Sequence, residues 1–248
     1  MVLFCGRAMS GTFVHVVIDA IAWLAAGLAL AWLTRGAHVR SPAAPAVDFI
    51  YIAVLMFGAG LGAVAFGTAN LWLSQQAGIA RSIEGAVAGG IFAIELFKRS
   101  AGIRARTGAR FALPLAVGVA VGRIGCFFAG LDDFTYGMPT ALPWGYDFGD
   151  RVLCHPVQLY ESAAMAAFAV VYVLRALRND RFVIDNGFYL AVGFYGAQRF
   201  LWEFIKPYGT LVGPFTLFHM LSAAIFVYAV VMIATAPTPR PVDDHAIA

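Results

Sequence analysis

Apolar positions in this chain gather into long runs separated by short polar stretches, instead of recurring every three or four residues as on a soluble helix face. A membrane-spanning helix needs about 20 mostly apolar residues. Seven spans are predicted, at 12–33, 49–72, 84–97, 111–130, 157–174, 187–205 and 213–234. The third, EGAVAGGIFAIELF, is short and Gly-rich, and it also fits a tilted or re-entrant segment. The stretch 131–156 has no apolar run and is rich in Gly, Pro and Asp. Its aromatics, Phe134, Tyr136, Trp144, Tyr146 and Phe148, suit a lid lying at the membrane interface. Residues 1–236 read as one integral membrane domain, and 237–248 as a disordered cytoplasmic tail.

Composition agrees with the pattern. The 248 residues are 61% hydrophobic and 12% charged, against about 25% charged in a soluble domain. The basic residues set an orientation. With the N-terminus outside, eleven fall in inner segments: Arg35, Arg40, Lys98, Arg99, Arg104, Arg106, Arg110, Arg175, Arg178, Arg181 and Arg240. Four fall outside, namely Arg7, Arg81, Arg151 and Lys206. This bias needs an odd number of crossings, so the expected fold is an all-α polytopic bundle of seven transmembrane helices. Its N-terminus is out, its C-terminus is in, and its long outer loop joins helices four and five. The net charge of +3 is then a topological signal and gives no reason to invoke nucleic acid. MVLFCGRAMSG is too short and too weakly basic for a signal peptide, and Phe4 is too bulky for a lipoprotein cleavage site before Cys5. The cysteines, Cys5, Cys126 and Cys154, show no metal spacing, and no cofactor is implied. A Cys126–Cys154 disulfide on the outer side is one alternative.

Two arginines stand inside apolar spans. Arg123, in VGRIGCFFAG, lies about 10 Å below the outer end of the fourth span, and Arg199 about 9 Å below that of the sixth. Ionisable groups at such depth mark function by default, and a guanidinium fork matches a phosphate. Glu203 is four residues after Arg199, on the same helix face, and Glu161 lies one turn into the fifth span. Two readings stand: structural Arg123–Glu161 and Arg199–Glu203 pairs, or a lipid headgroup site in which the carboxylates orient the arginines. His155, on the outer side near both arginines, is a candidate general base or part of a turn. His15 and Asp19 are spaced to pair, His219 lies in the last span, and Glu95 is placed to meet Lys98 or Arg99. Small residues in GAGLGAVAFG, AGG and VGRIG favour close helix packing. Cys126 also reads as a small apolar core residue.

GRIGCFFAG, YGMPTALPWG, HPVQLYES and GFYGAQRFLWEFIKPY, in this order between about 85 and 207, resemble the phosphatidylglycerol–prolipoprotein diacylglyceryl transferase family. The resemblance implies transfer of a diacylglyceryl group from phosphatidylglycerol to the lipobox cysteine thiol of a preprolipoprotein, at the outer leaflet of the bacterial plasma (inner) membrane. It implies that Arg123 and Arg199 hold the phosphate. Gly89, Gly90, Gly125, Cys126, Tyr136, Gln158, Tyr160, Glu161 and Tyr195 are then candidate substrate-binding residues. His155 and Glu203 join the two arginines as candidate catalytic groups. The expected partners are phosphatidylglycerol or another anionic phospholipid, and the signal peptides of preprolipoproteins.

The chain departs from the family pattern at five places. The proposed catalytic His of the third span is Ala88, the Asn after G-R-I-G is Cys126, and the acid of N-G-E is Leu131. A first-span Tyr is Val17 and a second-span Arg is Gly60. The phosphate-binding pair survives, while much of the proton-handling set does not. The alternatives are a non-catalytic phospholipid-binding protein and a transferase with a different acceptor. A channel reading finds no charge ring and no pair of broken helices.

Overall fold

The computed structural model describes residues 5–35 and 45–236, without the side chains of 5–13, 15 and 45–48. Seven long helices account for most of them: α1 (Cys5–Arg35), α2 (Pro45–Leu73), α3 (Ile83–Ser100), α4 (Ala112–Ala129), α5 (Val157–Leu177), α6 (Arg181–Glu203) and α7 (Leu217–Ala234). Each matches one predicted span. The starts differ most: α1, α2 and α6 begin 7, 4 and 6 residues earlier than read, and α7 begins 4 later. α6 starts at Arg181 because Asp180 caps it, its side chain accepting the Val183 N–H at 3.3 Å. α7 starts after a small hairpin, β3 (Thr210–Val212) with β4 (Phe215–Thr216), that takes up the polar start of the predicted span.

Five segments are long and apolar enough to cross a membrane: Val16–Arg35, Phe49–Leu73, Ala109–Asp133, Val157–Leu177 and Leu217–Ala234. α3 and α6 are not among them, since each carries several charged residues. Of those charges Glu84, Lys98, Arg199 and Glu203 are buried, while Arg99, Arg181 and Asp185 are exposed toward the helix ends. The wide lipid-facing surface is apolar, with Trp23, Leu28, Phe57 and Phe92 exposed.

The helices pack chiefly as pairs: α1 on α4, α2 on α3, α4 on α5 and α6 on α7. The α2–α3 pair is the closest. Gly58 and Gly62 face Gly85 and Gly89, so that a Cβ on Gly62 would lie 2.3 Å from the Gly85 carbonyl oxygen. Small residues four apart on both helices allow this backbone contact. The main apolar core lies between α4, α5 and α6, with Ala112, Ala116, Met165, Tyr172 and Tyr195 buried.

The 131–156 segment is folded. A two-residue ladder joins β1 (Tyr146–Asp147) to β2 (Leu153–Cys154). Phe127 packs tilted against Tyr146 and edge-on against Phe148, and Phe134 edge-on against Tyr136 and tilted against Tyr208. The Met138 N–H donates to the Ile205 carbonyl at 2.7 Å, tying this loop to the turn after α6. The disulfide alternative is overturned: Cys126 and Cys154 are both buried and free. Burial, with Asp150 and Asp147 nearby, pushes the Cys154 thiol up. The expected tail, 237–248, lies outside the described residues, and the His15 side chain of the His15–Asp19 pair is likewise not described.

Candidate functional site

Four helices and one turn bring six ionisable side chains together. α3 supplies Glu84, α4 Arg123, α5 Glu161, α6 Arg199 and Glu203, and the turn after α6 Lys206. Each is at most 5% exposed. Arg199 is the hub. Its Nε lies 3.1 Å from Glu84 Oε2, its Nη1 3.1 Å from Glu161 Oε1, and its Nη2 2.9 Å from Glu203 Oε2. Glu161 in turn meets Arg123 Nε through Oε2, and Lys206 Nζ through Oε1 at 2.8 Å. Three cationic and three carboxylate groups therefore compensate one another where unpaired charges would be very costly.

Hydroxyls complete the carboxylate shells. Ser222 on α7 donates to Glu84 Oε1 at 2.6 Å, and Thr216 to Glu203 Oε1 at 2.6 Å. Local sequence explains the placement of Glu84. Ser82 caps α3, accepting the Gly85 N–H at 3.1 Å, which leaves Glu84 in the first turn where a helix favours an acid. Arg123 is engaged differently from Arg199. Besides Glu161, its further contact among the described residues is Nη1 to Cys126 Sγ at 3.9 Å. Its fork end meets no second carboxylate among the ion pairs of the described residues.

The pairs read from sequence, Arg123 with Glu161 and Arg199 with Glu203, are both present. The fork expected of Arg199 for a phosphate is instead filled by protein carboxylates. Gln158 and Tyr195 are fully buried, with side-chain polar atoms that have no hydrogen-bond partner among the described residues. Gly125 and Cys126 lie buried in the last turns of α4. Gly89 and Gly90 face α2, the first against the Gly58 carbonyl and the second against Leu55.

His155, Tyr160 and Tyr136 belong to the loop layer. His155 Nδ1 lies 3.4 Å from the Tyr160 hydroxyl, which accepts the Trp144 indole N–H at 2.9 Å. Tyr160 also packs on Trp202, at 5.2 Å between ring centroids. Tyr136 sits among Phe134 and Phe148, and burial pushes its phenol up. His219 is tied into the start of α7. Its Nδ1 accepts the Thr216 N–H at 3.0 Å while Thr216 Oγ1 accepts the His219 N–H. Neutral imidazole with Nδ1 as acceptor carries its proton on Nε2, so His219 is a cap, packed against Phe204 at 4.3 Å. Glu95 meets Lys98 at 3.1 Å, as its spacing suggested.

Glu84, Lys206, Thr216 and Ser222 were missed in the sequence. Glu84 looks like ordinary helix-start chemistry at a span boundary, and Lys206 like an outer-loop base. A weak signal did exist for Glu84: an acid in a segment with close Gly spacing is placed where another helix must approach. Nothing in the order of residues links it to Arg199, 115 positions away.

Comparison with known proteins gives the same direction. Residues 15–235 match the family model described as prolipoprotein diacylglyceryl transferase. A protein of Geobacter sulfurreducens named phosphatidylglycerol–prolipoprotein diacylglyceryl transferase is 29% identical over 195 residues, covering 72% of each chain. One of the same name from Cupriavidus metallidurans is 30% identical over 207 residues, covering 76% of this chain and 74% of its own. A third, from Wolbachia pipientis, is 39% identical over 95 residues, 36% of this chain and 35% of its own.

Proposed function

We propose a function on the premise that this chain belongs to the prolipoprotein diacylglyceryl transferase family. It is a membrane-bound transferase of lipoprotein biosynthesis. The reading is transfer of the diacylglyceryl group of phosphatidylglycerol to the lipobox cysteine of a preprolipoprotein, at the outer leaflet of the bacterial plasma membrane. The observation that carries it is the state of Arg123: a buried guanidinium held by its Nε on Glu161, with its fork end free of any second described carboxylate. A planar fork of this kind suits a phosphate.

In the step proposed, the acceptor thiol attacks the glyceryl carbon that carries the phosphate ester. The S–C bond forms, the C–O bond breaks, and glycerol phosphate leaves with the electron pair. Charge that builds on the leaving phosphate is met by Arg123, which is electrostatic stabilisation in a site shielded from water. The departing phosphate monoester, whose second pKa is about 6, is able to take the thiol proton itself. That route lessens the demand for a base where Ala88 has no side-chain proton acceptor. Glu203 and His155 are the remaining candidates for assisting it. Glu203 is engaged by Arg199 and Thr216, and His155 by Tyr160. Seven crossings with the N-terminus outside accompany this reading, since they set the Arg123 end of the bundle toward the outer leaflet.

The test uses purified protein, phosphatidylglycerol in detergent and a fluorescent lipobox peptide, read by mass spectrometry. A diacylglyceryl adduct is expected with the wild type. Arg123→Ala should lower its formation by about 10²–10³-fold, the scale of losing one transition-state donor. Normal turnover in Arg123→Ala would sink the phosphate role. The second reading, a lipid binder without turnover, draws on Ala88, which packs against the apolar cluster of Tyr189, Val192 and Ile225. Retained phosphatidylglycerol with no adduct would favour it.

A further inference from the structure

We infer that Lys206, together with Arg123, contacts the lipid phosphate, and that Arg199 is the positioning residue that holds them in place. This rests on reading the cluster as a phospholipid phosphate site.

The argument is a count of donors. Arg199 spreads its guanidinium over Glu84, Glu161 and Glu203, which come from three different helices. To turn its Nε or Nη2 toward a phosphate it must release Glu84 or Glu203, whose one cation among the ion pairs of the described residues is Arg199, a strongly unfavourable exchange; Glu161 keeps Arg123 and Lys206. Lys206 is in the opposite position. Its ammonium has three donors, its side chain is buried, and Glu161 is its one carboxylate among the ion pairs of the described residues.

Placement agrees with the count. Arg123 holds Oε2 of Glu161 and Lys206 holds Oε1, so one carboxylate spaces the two cations that have donors to spare. A phosphodiester offers two non-bridging oxygens to such a pair. Lys206 also lies directly after Ile205, whose carbonyl is bonded to Met138 of the aromatic loop. It therefore stands where the ionic cluster meets the loop layer, on the face the loop covers. The Tyr208 ring lies beneath it, 5.6 Å from Nζ.

The two cations differ in how they respond to pH. Arginine keeps its proton throughout the working range. Burial, aided by Arg199 and Arg123 and opposed by Glu161 and Glu203, pushes the Lys206 ammonium down to about 8. Rising pH through that value removes its charge, and phosphate binding should weaken with it.

The experiment measures peptide lipidation and phosphatidylglycerol retention on the same proteins from pH 6 to 10, the latter by native mass spectrometry against diacylglycerol, which lacks the phosphate. Wild type should lose lipidation above about pH 8. Lys206→Arg should fold, turn over, and move that alkaline limb up by at least one pH unit. Lys206→Met should lose about 100-fold in transfer and its preference for phosphatidylglycerol over diacylglycerol. A Lys206→Met protein with wild-type preference, or an alkaline limb unmoved in Lys206→Arg, overturns the inference. If the wild type lipidates no peptide, the transferase reading fails, and the retention measurements still decide the role of Lys206: loss of preference in Lys206→Met upholds it, and equal preference overturns it.

Discussion

The hydroxyl of Thr216 donates to Glu203 and at the same time accepts the N–H of His219 that opens α7. One small side chain thus links the ionic cluster to a helix start. Losing a helix cap costs about 1 kcal/mol, and losing a hydrogen bond to a charged group about 1.5–3 kcal/mol. Thr216→Val should therefore destabilise the protein by about 2–4 kcal/mol, read from denaturation in detergent micelles, while Thr216→Ser should stay within about 1 kcal/mol of wild type. A Val variant as stable as wild type would mean that the cluster does not depend on this link. At this scale the identities of Arg123, Glu161, Arg199 and Glu203 were legible, because a charge in an apolar run is conspicuous wherever it occurs. Glu84 and Lys206 were not, because each lies at a predicted span end where polarity needs no explanation, and Ser222 was not, because a lone serine is common inside a span.

The α2–α3 crossing shows how an element can be set by what is missing from it. Gly58 and Gly62 meet the α3 backbone, whereas Gly60 between them faces outward with nothing within 4 Å of an added Cβ. Gly62→Val would drive a side chain into the Gly85 carbonyl, and overpacking of this kind costs about 1–3 kcal/mol or more. The expected outcome is a clear loss of thermal stability, together with reduced lipidation because Glu84 moves with α3. Gly60→Val should leave both nearly unchanged, and equal effects at the two positions would refute a backbone contact here. The small-residue spacing was visible in the chain. Which of the glycines face the partner depends on helix rotation, which the spacing leaves open. Gly89 and Gly90, grouped with the substrate-binding candidates from resemblance, sit in this crossing.

At the scale of the whole molecule, the mid-helix and cluster charges of α3 and α6, Glu84, Lys98, Arg199 and Glu203, are buried, while Arg99, Arg181 and Asp185 near the helix ends are exposed. The topology proposed with the function makes a direct prediction. A reporter active only outside the cytoplasm, fused after residue 103, should be silent, and the same reporter after residue 145 should be active. The reverse pattern would refute an N-out chain of seven crossings and would move Arg123 to the inner leaflet. The basic residues of the segments that the proposed topology places inside, Lys98 to Arg110 and Arg175 to Arg181 among them, would supply the physical cause, since short positively charged loops resist translocation.

The number, order and approximate ends of the helices follow from the sequence alone, because the length of an apolar run and the position of bases act locally on the chain. The presence of two deep arginines and two carboxylate partners follows for the same reason. Only the tertiary structure decided which nitrogen meets which oxygen. Arg199 is surrounded by acids from α3, α5 and its own helix, Arg123 meets Glu161 through Nε and Cys126 through Nη1, and Lys206 enters from a turn. Ion pairs over separations such as 115 positions depend on how helices rotate and cross, and that is set by packing between elements distant in the chain.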